Sequence, residues 1–145
     1  MTTFVELAHP EHSIFTSGCH WIVNPINCVG VMGGGLARDF KIKFPEMNAE
    51  YEALCEDHEI VPGQMWIWKD YVVNFPTKNH YKYPSKLKYI IDGMLDLANQ
   101  IIKHNVESIA IPKLGCGLGG LEWEEVKPFI IGALSDLNIK VELYV

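Results

Sequence analysis

Apolar positions change their period several times along the chain, and each change marks an element. Phe4 to Ala8 and Trp21 to Val23 are short apolar runs of strand length. From Gly35 through Phe44 the apolar residues fall at helical spacing until Pro45 interrupts them, and a further helix is predicted after that proline. Met65 to Trp68 and Tyr71 to Phe75 are apolar runs separated by Lys69-Asp70, which is hairpin spacing and predicts an antiparallel pair. Leu87, Ile90, Ile91, Met94, Leu95, Ala98, Ile101 and Ile102 then recur with helical period, with Ser85 expected as the N-cap after Pro84. Ser108 to Ile111 reads as a strand, Trp123 to Leu137 as a helix and Lys140 to Val145 as a closing strand.

Strands alternating with helices predict an α/β fold, a three-layer α/β/α sandwich whose mixed sheet is mainly parallel with some antiparallel pairing. In open sheets of this kind ligands bind in the crevice beyond the carboxyl ends of the strands. Two glycine clusters are expected at that edge. Ile111-Pro112-Lys113-Leu114-Gly115-Cys116-Gly117-Leu118-Gly119-Gly120 joins a strand to the helix that starts at Trp123, and Val29-Gly30-Val31-Met32-Gly33-Gly34-Gly35 joins the Trp21 strand to the next helix. Glycines admit positive φ and lack a Cβ, so their N–H groups can turn toward one anion. A single glycine cluster serves a turn or close packing more often than a ligand, whereas two on one rim suit a ligand with two phosphates. Neither reproduces the P-loop pattern or the G-x-G-x-x-G dinucleotide fingerprint.

The 145 residues suit one domain with a sizeable core, and no repeat or linker divides them. No basic start followed by an apolar run and no stretch of transmembrane length is visible, so a cytoplasmic protein without membrane contact is expected. Cys19, Cys28, Cys55 and Cys116 form no C-x-x-C pair and read as reduced thiols; a Cys19/His20/Cys28 metal site is the rarer reading, so no metal and no cofactor are expected. A net charge of −6 argues against broad attraction to nucleic acid. Locally the balance reverses: Lys78, Lys82, Lys86 and Lys88 are interleaved with His80, Tyr81, Tyr83 and Tyr89, either a solvated loop with incidental aromatics or a contact for a backbone phosphate and an unpaired base.

Three stretches, Asn24 through Gly33, Asn74-Phe75-Pro76-Thr77-Lys78-Asn79-His80 and Pro112 through Trp123, resemble the ligand-binding segments of macrodomains, the ADP-ribose-binding family. Within that family the chain is similar to the branch of the DarG-type DNA ADP-ribosyl glycohydrolases and the terminal ADP-ribose glycohydrolases, over nearly its whole length. The resemblance implies a single macrodomain over residues 1–145, acting as a monomer on ADP-ribose or an ADP-ribosylated substrate. It implies the pyrophosphate on Gly115, Cys116, Gly117, Leu118, Gly119 and Gly120, and the distal ribose against Gly30, Val31, Met32, Gly33, Gly34 and Gly35. Ser13, Ile14, Asn24 and Thr77 complete the implied ligand contacts, Asn27 bonds the distal ribose, and Lys78 is the implied nucleophile at the anomeric carbon. His80, Tyr81, Lys82 and Tyr83 would meet single-stranded DNA. On residue chemistry alone Lys78 is more commonly an exposed cation that neutralises phosphate, and the alternative for Asn27 is a turn former after Pro25.

Three positions depart from the family pattern. Ser13 stands where many macrodomains have the aspartate that accepts from adenine, which implies weaker adenine selectivity. Gly119 stands where the related human enzyme has an assisting acid, which rules out acid catalysis from that position. Gly34 replaces a lysine common in this branch, which implies lower affinity. A side chain introduced at Gly119 is expected to meet the phosphates. The implied activity is removal of mono-ADP-ribose from DNA; the alternatives are release from acidic protein side chains, ADP-ribose 1''-phosphate phosphatase activity, and binding without turnover.

Overall fold

The computed structural model describes residues 1–8 and 12–145. Its elements follow the order β1 (Thr3–Leu7), β2 (Trp21–Asn27), α1 (Gly35–Lys43), α2 (Pro45–Glu56), β3 (Trp66–Trp68), β4 (Val72–Lys78), α3 (Leu87–Lys103), β5 (Ser108–Pro112), α4 (Trp123–Leu134) and β6 (Lys140–Tyr144), with a 3-10 turn at Ile14–Thr16. The six strands form one sheet in the order β1-β6-β5-β2-β4-β3. Every neighbouring pair is parallel except β3 with β4, the hairpin that the Lys69-Asp70 spacing predicts. Both of those turn residues take positive φ, which supplies without glycine the left-handed geometry a tight hairpin needs.

The sheet separates two apolar cores, so its inner strands are apolar on both faces. Trp21 and Val23 of β2 join Val73 and Phe75 of β4, Ile109 and Ile111 of β5, and Ile90, Met94, Val126 and Ile130 of α3 and α4. Ile22 and Ile26 face the other way, onto Phe40 of α1 and Met47 and Tyr51 of α2. Gly93 lets α3 approach closely, because a Cβ there would strike the Phe75 ring. The chain leaving β2 therefore crosses to the α1/α2 face, while the chains leaving its neighbours β4 and β5 cross to the α3/α4 face. Adjacent connections diverging in this way open a crevice at the carboxyl end of β2.

Two strands run further than their apolar runs indicate. β2 continues through Pro25 to Asn27, and β4 continues through Pro76 to Lys78. Proline cannot donate to a ladder and is normally kept out of inner strands. Here the outer neighbours have already stopped: β5 pairs with β2 only at Trp21 and Ile22, and β3 pairs with β4 only up to Asn74. Pro76 is thus a strand residue. Ser85 is not the N-cap of α3; that position is Lys86, which makes no side-chain capping bond, and Ser85 lies one residue outside it with its N–H on the Gly119 carbonyl. α4 ends at Leu134, three residues short of the expected Leu137.

Candidate functional site

Three segments leave the contiguous strands β5, β2 and β4 at the same edge: the loop with Gly115–Gly120, the loop with Gly30–Gly34, and the turn after Lys78. β2 and β4 are in register, but between Ile26 and Asn27 the pairing skips a residue, so that Asn27 lies opposite Lys78 and Thr77 is the extra residue of a bulge. Bulges at a sheet rim re-aim the side chains around them. This one makes direct cross-strand neighbours of Asn27 and Lys78, the residues that the resemblance places at the distal ribose and the anomeric carbon. Thr77 itself is buried.

Asn27 shapes the first glycine loop. Its Oδ1 accepts from the N–H of Val29 at 3.0 Å and of Val31 at 3.4 Å, and from the Tyr51 hydroxyl at 2.8 Å, while its Nδ2 donates to the Val31 carbonyl at 2.7 Å. Tyr51 reaches up from α2 and also bonds the Asn27 carbonyl at 2.7 Å. The amide oxygen is saturated by these bonds, so what Asn27 retains for a ribose is its remaining N–H. The turn-forming reading of this residue therefore describes its geometry, and Tyr51, which no local pattern singles out, belongs to the same unit. Gly30, at φ +83°, then turns the loop over α2, where its Cα faces the Cys55 side chain. Asn27→Ala is expected to cost about 2–3 kcal/mol in urea denaturation, since the part-buried N–H groups of Val29 and Val31 lose their acceptor and the Val31 carbonyl its donor, while Tyr51 keeps only the main-chain carbonyl. A loss below about 0.5 kcal/mol would contradict the scaffolding role.

The Lys78 Nζ donates to the Tyr81 carbonyl at 3.3 Å, so the turn 79–83 folds back over the ammonium. The same turn is closed by the Tyr83 N–H on the His80 carbonyl and by the Lys82 N–H on His80 Nδ1, both at 3.1 Å. With Nδ1 accepting, the neutral imidazole carries its proton on Nε2. The His80 ring lies 4.5 Å from the Tyr81 ring and 5.6 Å from the Tyr83 ring, and both tyrosines are exposed. The Lys82 ammonium stands 6.0 Å from the Tyr81 ring centre. An aromatic, cationic surface thus borders the proposed nucleophile.

In the second glycine loop, Gly115 (φ +74°) and Gly120 (φ +81°) form the corners, and the Leu121 N–H returns to the Gly115 carbonyl at 2.9 Å. Gly119 is buried and its missing side chain points inward: a Cβ there would overlap the Gly115 oxygen and Ser85 Oγ and lie 2.9 Å from the Gly115 carbonyl carbon. A substituent at Gly119 would therefore break the loop's own packing and not project toward a ligand as expected. At Gly117 a Cβ would meet open space. Leu118, exposed at the loop tip, brings its Cδ1 within 3.1 Å of where a Cβ on Gly34 would stand. The two glycine loops consequently touch. Gly34 in place of a lysine leaves that contact free, and Gly33 and Gly35 complete the turn into α1.

Thiol chemistry is absent from this rim. Burial pushes the Cys28 thiol up to about 12 and raises those of Cys55 and Cys116, so these residues are protonated near neutrality. Among the described residues no cluster of His, Cys, Asp or Glu could hold a metal, and no helix is long and apolar enough to cross a membrane. Several expected contacts lie inside. Asn24 is fully buried, with its Nδ2 on Asn74 Oδ1 at 2.9 Å across the β2/β4 ladder, and Met32 lies against that amide. Asn24 and Met32 thus serve the α1/α2 core instead of surfacing at the rim. Ile14 is buried in the same core, while Ser13 is exposed and caps the 3-10 turn by accepting from the Phe15 N–H at 3.2 Å.

A family model described as the Macro domain matches residues 23–130. The DNA ADP-ribosyl glycohydrolase of Mycobacterium tuberculosis is 43% identical over 123 residues, which cover 80% of this chain and 35% of the relative. The enzyme of the same name from Thermus aquaticus is 41% identical over 131 residues, covering 86% and 36%. The chain thus spans about a third of the length of these curated relatives. Among solved structures, the macrodomain of Mycobacterium tuberculosis DarG superposes with a TM-score of 0.91 at 37% identity, covering 99% of this chain and 97% of that one. Thermosipho africanus DarTG in complex with ADP-ribose gives 0.87 at 33% identity, covering 99% of this chain and 41% of that one.

Proposed function

The chain belongs to the macrodomain family, and from the arrangement at its strand ends we propose that it binds ADP-ribose carried on an acceptor and hydrolyses the glycosidic bond, with DNA-linked mono-ADP-ribose as the substrate. The observation that carries this reading is the position of Lys78, opposite Asn27 across the bulge and bordered by the aromatic turn, on the rim from which both glycine loops rise. The pyrophosphate takes the N–H groups of the Gly115–Gly120 loop, and the distal ribose lies against the loop from Gly30 to Gly35. After giving up a proton to solvent, the Lys78 amine attacks the anomeric carbon while the bond to the acceptor breaks, and the electron pair leaves with the acceptor, which takes a proton from solvent. Water then displaces the amine, releasing ADP-ribose and restoring Lys78. The relatives named DNA ADP-ribosyl glycohydrolase and the ADP-ribose complex of Thermosipho africanus DarTG support the ligand and the reaction.

The acceptor side of the site is the turn that carries His80, Tyr81, Lys82 and Tyr83. In a protein of net charge −6, nucleic acid must be held by local features, and exposed rings beside a lysine supply stacking and a phosphate contact. Tyr81→Ala combined with Lys82→Glu is expected to slow release from modified single-stranded DNA by about 10-fold or more and to leave affinity for free ADP-ribose within about twofold. The wild-type rate on DNA at limiting substrate should fall with added salt, more steeply than that of the variant. Equal losses on both ligands would make the turn an ordinary surface.

The deciding experiment incubates the protein in parallel with ADP-ribosylated single-stranded DNA, ADP-ribosylated protein and ADP-ribose 1''-phosphate. Release from DNA alone supports the proposal. Faster release from either of the others reassigns the acceptor, and tight binding of ADP-ribose with no release from any of them makes the protein a reader.

A further inference from the structure

Ser85 lies in the connection between Lys78 and α3, and it is the point at which that connection meets the second glycine loop. Its N–H donates to the Gly119 carbonyl at 2.9 Å. Its Cβ stands 3.3 Å from where a Cβ on Gly115 would be, and its Oγ faces the missing side chain of Gly119 together with the Gly115 oxygen. The residue is only 6% exposed, and among the described residues Oγ has no hydrogen-bond partner. A buried hydroxyl left unpaired destabilises the state that contains it. That is an odd use of serine at a position where alanine would pack as well.

We propose that Ser85 is a positioning residue that couples the glycine loop to the Lys78 segment: its hydroxyl is unpaired in the ligand-free protein and takes a backbone partner in the Gly115–Gly120 loop when that loop settles on a pyrophosphate. A candidate is the Gly115 carbonyl, which faces the same missing Gly119 side chain and has a second lone pair beyond the bond from Leu121. The bond forms only with ligand in place, so it adds to affinity without stabilising the free protein. Because the Ser85 backbone is tied to the same loop, the ordering is passed along the chain to the turn that holds Lys78. The inference rests on the reading of that loop as the pyrophosphate site.

Ser85→Ala separates the two halves of the argument because they move in opposite directions. The melting temperature of the free variant should be equal to or higher than that of the wild type, since an unpaired hydroxyl has gone. Its affinity for ADP-ribose, measured by calorimetry, should fall by about 10-fold, the value of one hydrogen bond made only in the complex. Turnover of modified DNA should lose kcat as well, because the Lys78 segment is less well ordered. Ser85→Thr, which keeps the hydroxyl, should recover affinity relative to alanine. Unchanged affinity in Ser85→Ala overturns the coupling, and so does a fall in melting temperature, which would mean that the hydroxyl is already satisfied without ligand. If the wild type itself gives no heat with ADP-ribose, the reading of the loop fails first and the coupling falls with it; heat in the wild type with no change in the variant removes the coupling alone.

Discussion

Lys78→Ala is expected to bind free ADP-ribose within about threefold of the wild type and to release it from modified DNA on the order of 10³-fold more slowly or not at all. The two effects separate because, in the proposed mode of binding, the pyrophosphate is held by backbone N–H groups of a different strand's loop, whereas Lys78 acts at the anomeric carbon. In the free protein its Nζ makes one bond, to the Tyr81 carbonyl, and its loss costs the fold little. Lys78→Arg is the sharper comparison. A guanidinium keeps the charge and can still reach a carbonyl or a phosphate, but it does not give up a proton to become a nucleophile. A phosphate-neutralising Lys78 would let arginine restore most of the activity and would show its defect in KM. A nucleophilic Lys78 leaves arginine as inactive as alanine, with kcat and kcat/KM falling together. Single-turnover release from ADP-ribosylated single-stranded DNA measures the difference, and wild-type rates for Lys78→Arg would exclude the assignment.

Gly119→Ala is expected to abolish ADP-ribose binding while Gly117→Ala, two residues away, leaves the fold intact. At Gly119 the added methyl has nowhere to go: it meets the Gly115 carbonyl and Ser85, and the Ser85 N–H is itself bonded to the Gly119 carbonyl. The loop must move as a unit, at a cost of about 1–3 kcal/mol from overpacking alone. With it go the N–H groups that would cradle the pyrophosphate. A Cβ on Gly117 meets nothing in the protein, so any loss of affinity there reports the approach of a ligand and not damage to the loop. Thermal unfolding and calorimetry on both variants distinguish these cases. Equal melting temperatures for wild type and Gly119→Ala would show that the loop has more room than its packing indicates.

The alternation of strands and helices was legible because it depends on side-chain period, which neighbouring residues set among themselves. The hairpin followed from the spacing of two apolar runs, and the position of both glycine loops at one rim followed from the rule for parallel strands. Misjudged features were those in which a distant partner overruled a local preference. Ser85 has the chemistry of an N-cap, yet its N–H is drawn to the Gly119 carbonyl and the helix starts one residue later, with Lys86 at the N-cap position and no side-chain capping bond. Pro25 and Pro76 look like strand breakers, but the strands that would need their missing N–H groups have already ended. Gly119 reads as an opening for phosphate, and its open side proves to face the protein.

The sequence by itself determined the fold class, the family, and which three segments carry polar and glycine-rich chemistry, because period, glycine content and short motifs are properties of contiguous residues. Only the tertiary structure decided what those segments do to one another. The one-residue skip that sets Asn27 opposite Lys78 belongs to the pairing of two strands. The saturation of the Asn27 amide depends on a tyrosine 24 positions away on another element. The contact of Ser85 with the second glycine loop joins segments that leave two different strands. Hydrogen-bond geometry is fixed to tenths of an ångström by packing across the sheet, and no local pattern encodes it at that precision.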